Sequence, residues 1–311
     1  MIYILLVTYN GEKYFIEQIE SLLSQSYQNW KIWIHDDGSK DNTVKIIKDY
    51  ANKYPEKIVF LDDDISCGGA KENFTYLLNN IDKNFDYIMF CDQDDIWKSD
   101  KIEKTLEKMQ ELENLYGNKI PLLVHTDLEV VNEDLKTIHY SMWQYEKINP
   151  NLNSLNRLLA QNTITGCTTM INNALLEKSL PISKDCIMHD WWIGLVVSCF
   201  GKIGYIKDCT IRYRQHGRND TGAKKYSYKT IFWKILQILS FKNKDFFSKN
   251  ILQAKKFLEA YEKDLDKEKR QLLEDFSTIK DKPYLQRVNI ILKYRLFKYG
   301  IIRNIGLLIK I

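Results

Sequence analysis

Phe85-Asp86-Tyr87-Ile88-Met89-Phe90-Cys91-Asp92-Gln93-Asp94-Asp95-Ile96-Trp97 is an apolar run of strand type that stops in three carboxylates within four residues. Carboxylates this close repel one another and are tolerated where a divalent cation, solvent or basic groups offset the charge. The carboxyl end of a strand is also where open α/β sheets place their ligands. The stretch points to a metal–diphosphate site on an α/β fold, against the plainer reading of a solvated acidic turn. In extended geometry Asp92 and Asp94 share a face, and Asp95 turns away from Asp94. Asp94 is then the candidate ligand for Mg²⁺ or Mn²⁺, hard cations that need few protein carboxylates.

Upstream of this stretch, Ile2–Val7, Trp30–His35 and Lys57–Leu61 read as strands, and helical patterns run to about Ser24, over Asn42–Tyr54 and over Asn73–Ile81. A charged helix follows at Lys98–Leu115. Strand alternating with helix predicts a mostly parallel, doubly wound sheet. Further on, Leu122–Val131 and Thr163–Ile171 look like strands, and Leu155–Ala160 and Asp190–Phe200 like helices. Lys202–Ile206 and Thr210–His216 read as two short strands. Past Thr221-Gly222-Ala223 the chain reads as helical, with Phe232, Ile235, Leu236 and Leu239 at helical spacing and one helix over Leu252–Leu273.

The composition, 44% hydrophobic and 28% charged over 311 residues, is that of a globular chain rather than a disordered one. Aromatics make up 13%, which suits sugar- or base-binding clefts as well as ordinary core. The net charge of +4 is unevenly spread: residues 223–311 hold 21 Lys and Arg against 9 Asp and Glu, leaving 24 against 32 in residues 1–222. The acidic part carries the carboxylate motifs. The basic part suggests an anionic membrane surface or a nucleic acid. The six cysteines include no Cys-x-x-Cys pair, so neither a zinc ribbon nor a redox dithiol is indicated, and a reducing cytoplasm is the expected compartment. No secretory leader is expected, because Ile2–Val7 is too short and has no basic start. No run approaches the roughly 20 apolar residues of a membrane span.

Five other motifs could carry chemistry. Thr8-Tyr9-Asn10-Gly11-Glu12 follows a strand and precedes a helix, where backbone N–H groups and polar side chains can hold a nucleotide, although a plain turn looks the same. Asp36-Asp37-Gly38-Ser39 offers an acid to a base N–H or ribose hydroxyl, or else a capped turn. In Cys67-Gly68-Gly69-Ala70-Lys71 small residues permit close backbone approach, and Lys71 could meet a phosphate. Met188-His189-Asp190-Trp191-Trp192 sets a carboxylate among His and Trp, which suits a general base and also a helix start. Arg212-Tyr213-Arg214-Gln215-His216 alternates basic residues before a His, which suits a departing diphosphate and its metal, or is a solvated basic strand.

In this order, Val7-Thr8-Tyr9-Asn10, Asp36-Asp37-Gly38-Ser39, Asp92-Gln93-Asp94 and Asp190 resemble the family 2 glycosyltransferases of GT-A fold, over roughly Ile2 to Gly222. His189-Asp190-Trp191-Trp192 and Tyr213-Arg214-Gln215-His216-Gly217 are similar to the bacterial rhamnosyltransferase branch that builds cell-wall and O-antigen polysaccharides. The resemblance implies a metal-dependent, inverting transfer of a sugar from a nucleotide diphosphate sugar to a saccharide or lipid-linked acceptor. L-rhamnose from dTDP-rhamnose is the first donor it suggests; UDP-hexose and UDP-N-acetylhexosamine would use much the same motifs. It implies Asp190 as catalytic base, Asp94 as ligand of Mn²⁺ or Mg²⁺ with Asp92 and His216 near it, and Asp37 on the base. Thr8, Tyr9, Asn10, Glu12, Lys71, Gln93 and Arg214 complete the donor set. His189 stands where many relatives have Glu, and the Gln-x-x-Arg-Trp motif of processive synthases is absent, which favours one or a few sugars per encounter.

The expected organisation is a GT-A domain over 1–222, with a nucleotide-sugar half at about 1–97 and an acceptor half at 98–222. A basic amphipathic helical region follows at 223–311. A sugar nucleotidyltransferase would carry a Gly-rich basic loop after its first strand, and Thr8–Glu12 is neither. A nucleic-acid module would use the basic tail, but the acidic part argues against nucleic acid as partner. The tail is read instead as a peripheral contact with the inner face of the cell membrane, or as a surface packed on the catalytic domain or on a second subunit in a homodimer.

Overall fold

A computed structural model describes residues 1–217, 222–223 and 247–311; the helical spacing expected around Phe232 to Leu239 lies outside the described residues. The chain forms two compact units. One comprises Met1–Met142, Ile164–Leu180 and Gly201–Ala223, the other Trp143–Thr163, Pro181–Phe200 and Lys224–Ile311. The last change of unit falls at Ala223, where the charge of the sequence also changes sign.

The first unit is built on one sheet of β1 (Ile2–Thr8), β2 (Trp30–Asp36), β3 (Ile58–Leu61), β4 (Tyr87–Cys91), β5 (Ile96–Trp97), β6 (Leu122–Val131), β7 (Thr137–His139), β8 (Thr169–Asn172) and β9 (Lys202–Arg214). The order is β3-β2-β1-β4-β8-β6-β9-β5, with β7 on β6. The strands from β3 to β4 are all parallel, as the alternation with α1 (Phe15–Leu23), α2 (Thr43–Lys53) and α3 (Ala70–Asn80) requires. β8 enters antiparallel between β4 and β6, while β9 runs parallel to β6. All seven residues of β1 are buried, so both faces of the central sheet are covered, which is why Ile2–Val7 shows no alternation. The carboxyl ends of β1, β2 and β4 therefore open on one edge, and there the motif residues lie. α4 (Lys101–Tyr116) and α7 (Asn173–Ser179) complete this unit.

Three expectations are corrected. Lys202–Ile206 and Thr210–His216 are one strand, β9, whose register against β6 shifts around Asp127 and absorbs the polar Lys207-Asp208 interruption. The strand expected over Thr163–Ile171 starts only at Thr169, after a 3₁₀ turn at Gly166–Thr168. Asp92 to Asp95 is not extended: β4 ends at Cys91 and a turn intervenes before β5, so the alternation that put Asp92 and Asp94 on one face does not apply.

The second unit contains α6 (Leu155–Ala160), α8 (His189–Phe200), α9 (Ser248–Tyr261), α10 (Lys267–Ser277), α11 (Tyr284–Tyr294) and α12 (Ile301–Lys310); the short α5 (Met142–Glu146) leads into it. Its core is aromatic: Trp192 meets Phe257 edge-on at 5.4 Å, and Phe247 meets Phe276 likewise at 5.7 Å. The single helix expected over Leu252–Leu273 is two, because Asp266 accepts from Lys269 N (2.8 Å) and caps a new helix.

Candidate functional site

The loop after β1 and the loop after β2 are stitched together by the residues that the sequence singles out. Thr8 Oγ1 donates to Asp36 Oδ1 (2.6 Å), and Ser39 donates to the same carboxylate from both its N–H (2.7 Å) and its hydroxyl (2.6 Å). Asn10 takes the left-handed conformation (φ 47°) that Asn tolerates better than most residues. Its N–H donates to Ser39 Oγ (2.7 Å) and its Oδ1 accepts from Lys40 N (2.8 Å). Glu12 Oε2 accepts from the backbone and side-chain amides of Asn42 at 2.9 and 2.8 Å. Thr8, Asn10 and Glu12 thus shape the two loops with the polar groups a ligand would otherwise meet, whereas Tyr9 is exposed.

Asp37 gathers the third loop. Its Oδ1 accepts from Ser66 Oγ (3.0 Å), Cys67 N and Gly68 N (2.9 Å), and its Oδ2 from Gly69 N (2.7 Å). Gly68 and Gly69 have φ of 84° and 155°, which an L side chain rarely adopts, so the motif needs glycine for this turn around the carboxylate. A carboxylate has about four lone-pair positions, and Oδ2, with one donor, keeps capacity for another. Lys71, just beyond, pairs with Glu72 (2.9 Å).

The turn after β4 is tied to β1 by Gln93, which grips the Tyr9 backbone at both ends: Tyr9 N donates to Oε1 and Nε2 donates to Tyr9 O, each at 2.9 Å. A Cβ on Gly11 would lie 2.1 Å from Gln93 Oε1, so this grip exists because residue 11 has no side chain. The three carboxylates then diverge. Asp94 Oδ2 lies 2.7 Å from His216 Nε2, just past β9. Asp92 instead groups with Asp95 and Cys167, their ligand atoms within 4.8 Å of one another.

His216 is held by a residue that sequence reasoning missed. Tyr14 stacks on its ring (centroids 5.0 Å, 24°) and lies under the Arg214 guanidinium at 4.6 Å. Arg214 is 2% exposed. Its N–H donates to Asp95 Oδ1 (3.0 Å), Nε to Asp94 O (2.9 Å), Nη1 to Glu133 O (2.5 Å) and Nη2 to Glu17. Arg214 therefore clamps the acidic turn from beneath. Only its alternation with Arg212 marked it in the sequence, and nothing local pointed to Tyr14, Glu17 or Glu133.

Beneath the turn the charges are buried. Burial pushes the Asp95 carboxyl well above the usual carboxylate range, and the neighbouring Asp94 and Asp92 charges push it further, opposed by the bonds from Arg214 N and the Cys167 thiol. Burial brings Lys101, at the start of α4, down to about 8; its ammonium faces the Trp97 ring at 4.5 Å. All six cysteines are thiols rather than disulfide sulfurs. The cluster of Asp92, Asp95 and Cys167 is ill suited to a hard cation, because it includes a buried thiol and a carboxyl that resists ionisation. Asp94 and His216 fit one better: a carboxylate oxygen and an imidazole nitrogen, already facing each other, are ligands Mn²⁺ accepts.

In the second unit Asp190 lies in the first turn of α8, where the helix dipole favours a carboxylate. Its Oδ1 accepts from Asn162 Nδ2 (3.3 Å), and the following Trp191 donates from Nε1 to Leu158 O (2.6 Å). His189 is buried, and burial lowers its pKa to about 3, so its imidazole stays neutral.

The family model of glycosyl transferase family 2 matches residues 3–178. The chain belongs to that family. It is 29% identical over 239 residues to the dTDP-rhamnosyl transferase RfbG of Shigella flexneri, covering 73% of this chain and 78% of that one. It is 26% identical over 227 residues to an uncharacterized glycosyltransferase of Nostoc, 70% of this chain and 65% of the relative. Among solved structures, TarS 1–349 of S. aureus in complex with UDP-GlcNAc superposes with a TM-score of 0.54 at 17% identity, over 94% of this chain and 80% of that one. The mannosyltransferase PcManGT of Pyrobaculum calidifontis, in complex with GDP-Man and Mn²⁺, gives 0.53 at 12% identity, over 94% and 72%. The family 2 chain is accordingly a glycosyltransferase of GT-A fold with a helical C-terminal part.

Proposed function

We propose that this glycosyltransferase moves a sugar with inversion from a nucleotide diphosphate sugar to a hydroxyl of a saccharide or lipid-linked saccharide in cell-surface polysaccharide synthesis. The reading rests above all on Asp94 and His216, brought to 2.7 Å from 122 residues apart in sequence beside the strand ends where such folds bind nucleotides. Asp94 and His216 would hold Mn²⁺ or Mg²⁺, which when bound would offset the diphosphate charge. Asp37 holds the Ser66–Gly69 loop as a wall for the base, and its Oδ2 can accept one base N–H. Gln93, Arg214 and the Thr8–Glu12 loop position these groups, and Lys71 is the nearby cation for a phosphate.

Asp190 takes the proton from the acceptor hydroxyl. The acceptor oxygen bonds to the anomeric carbon as the bond to the diphosphate breaks on the opposite face, through an oxocarbenium-like state. A dTDP-rhamnose donor is favoured by the likeness to RfbG; a UDP-linked N-acetylhexosamine is the second reading, favoured by the likeness to TarS. The test is donor hydrolysis and transfer over dTDP- and UDP-sugars with Mn²⁺ or Mg²⁺. Asp94→Ala should lose metal-dependent turnover by roughly 10²-fold or more. Asp190→Asn should retain donor binding and lose transfer by about 10²–10⁴-fold. Full metal-dependent turnover in Asp94→Ala would remove the metal assignment.

A further inference from the structure

α12 is apolar on both sides. Leu307 is buried beneath it, while Ile301, Ile305 and Ile309, four residues apart, are 79%, 53% and 53% exposed. Two of its polar residues serve the fold: Arg303 donates to the carbonyls of Glu146 (2.7 Å) and Lys147 (3.0 Å), and Asn304 to those of Lys298 (2.8 Å) and Gly300 (3.1 Å). The outer stripe thus remains wholly aliphatic. It continues towards α11, because Tyr284 donates to Leu308 O (2.9 Å) and its neighbour Leu285 is 79% exposed.

A wholly aliphatic outer face belongs against another apolar phase, protein or lipid, rather than water. At ten residues the helix reaches about 15 Å, half the roughly 30 Å of a bilayer's hydrocarbon. No described helix is long and apolar enough to cross a membrane. Such a helix lies in the plane of an interface.

Charge selects the occupant. Residues 280–311 hold eight Lys and Arg and one acid, Asp281. Arg287 bonds to the neutral carbonyls of Lys282 and Lys280, which leaves its charge uncompensated. A second copy would set one such positive surface against another, and residues 224–246, with six Lys and one Asp, would be repelled likewise. A nucleic acid would match the charge, but the stripe offers Ile and Leu where stacking would need aromatics.

We propose that the outer face of α11 and α12, through Leu285, Ile301, Ile305 and Ile309, docks on an anionic phospholipid bilayer. The binding holds whichever sugar is transferred. The test is flotation of the full chain with phosphatidylcholine vesicles, with and without phosphatidylglycerol, alongside the variant Ile305→Glu/Ile309→Glu. Both residues are exposed, so the variant should keep its donor hydrolysis as a check of folding. The wild-type chain should float with the phosphatidylglycerol vesicles, more weakly at high salt, and the variant's affinity should fall roughly tenfold or more. Equal flotation of the two chains overturns the proposal. So does a wild-type chain that binds neither vesicle, or one whose face proves to be a dimer contact, lost in the variant by light scattering.

Discussion

Gly11 and Gln93 meet across 82 positions of sequence, and their contact couples the loop after β1 to the acidic turn. Gly11→Ala places a methyl where the Gln93 amide now lies, so Gln93 must release the Tyr9 backbone. The substitution should lower Tm and raise the donor KM. In a Gln93→Ala background the space is open and the same change should cost far less, giving a coupling energy of roughly 1–2 kcal/mol in a double-mutant cycle. Strict additivity of the two changes would show that the grip does not position the loop. The sequence marked Thr8, Asn10, Glu12, Asp37 and Gln93 by their place after strands, and Arg214 by its alternation with Arg212. It did not reveal which atoms are already engaged within the fold, because the partners lie far off: Tyr9 with Gln93, Asp37 with the Ser66–Gly69 loop, Tyr14 with His216.

Among the elements, the strand end at Arg214 does the most for the site. Its guanidinium spans the carbonyls of Asp94 and Glu133 and the Glu17 carboxylate, a fork that an ammonium cannot reproduce. Arg214→Lys should therefore destabilise by roughly 2–4 kcal/mol, chiefly through buried carbonyls left unmatched. It should also weaken metal dependence by loosening Asp94. Urea melts and Mn²⁺ titrations of turnover read the two effects, and a wild-type melt for Arg214→Lys would reduce the clamp to a surface contact. The parallel strands β1 and β4 were legible because burial on both faces makes each a nearly unbroken apolar run. β9 was read as two strands because Lys207 and Asp208 interrupt its pattern at the register shift. α9 and α10 were read as one helix because the apolar spacing continues across the Asp266 cap.

For the whole molecule, the last change of compact unit and the change of charge sign both fall near Ala223, while no composition change marks 143–163 and 181–200, which belong to the same unit as the basic tail. Each unit buries an imidazole: His125 in β6 of the first, His189 in α8 of the second. Burial lowers their pKa values from 6.5 to about 4 and about 3 respectively. The unfolded chain takes up these protons near 6.5 while the folded chain refuses them. The stability tied to each neutral ring is thus fully present above 6.5 and is lost as pH falls from there towards the folded value. Over that window each group contributes a slope of about 1.4 kcal/mol per pH unit. His125→Gln and His189→Gln should each flatten the dependence of urea-unfolding free energy on pH between about 6 and 4.5 by nearly that amount, even where the substitution itself costs stability. Carboxylates add to the same slope in every variant, so the difference between chains isolates the imidazole. A His125→Gln chain that keeps the wild-type slope would mean that His125 binds its proton in the folded state as readily as in the unfolded one, which a ring with no solvent exposure should not do.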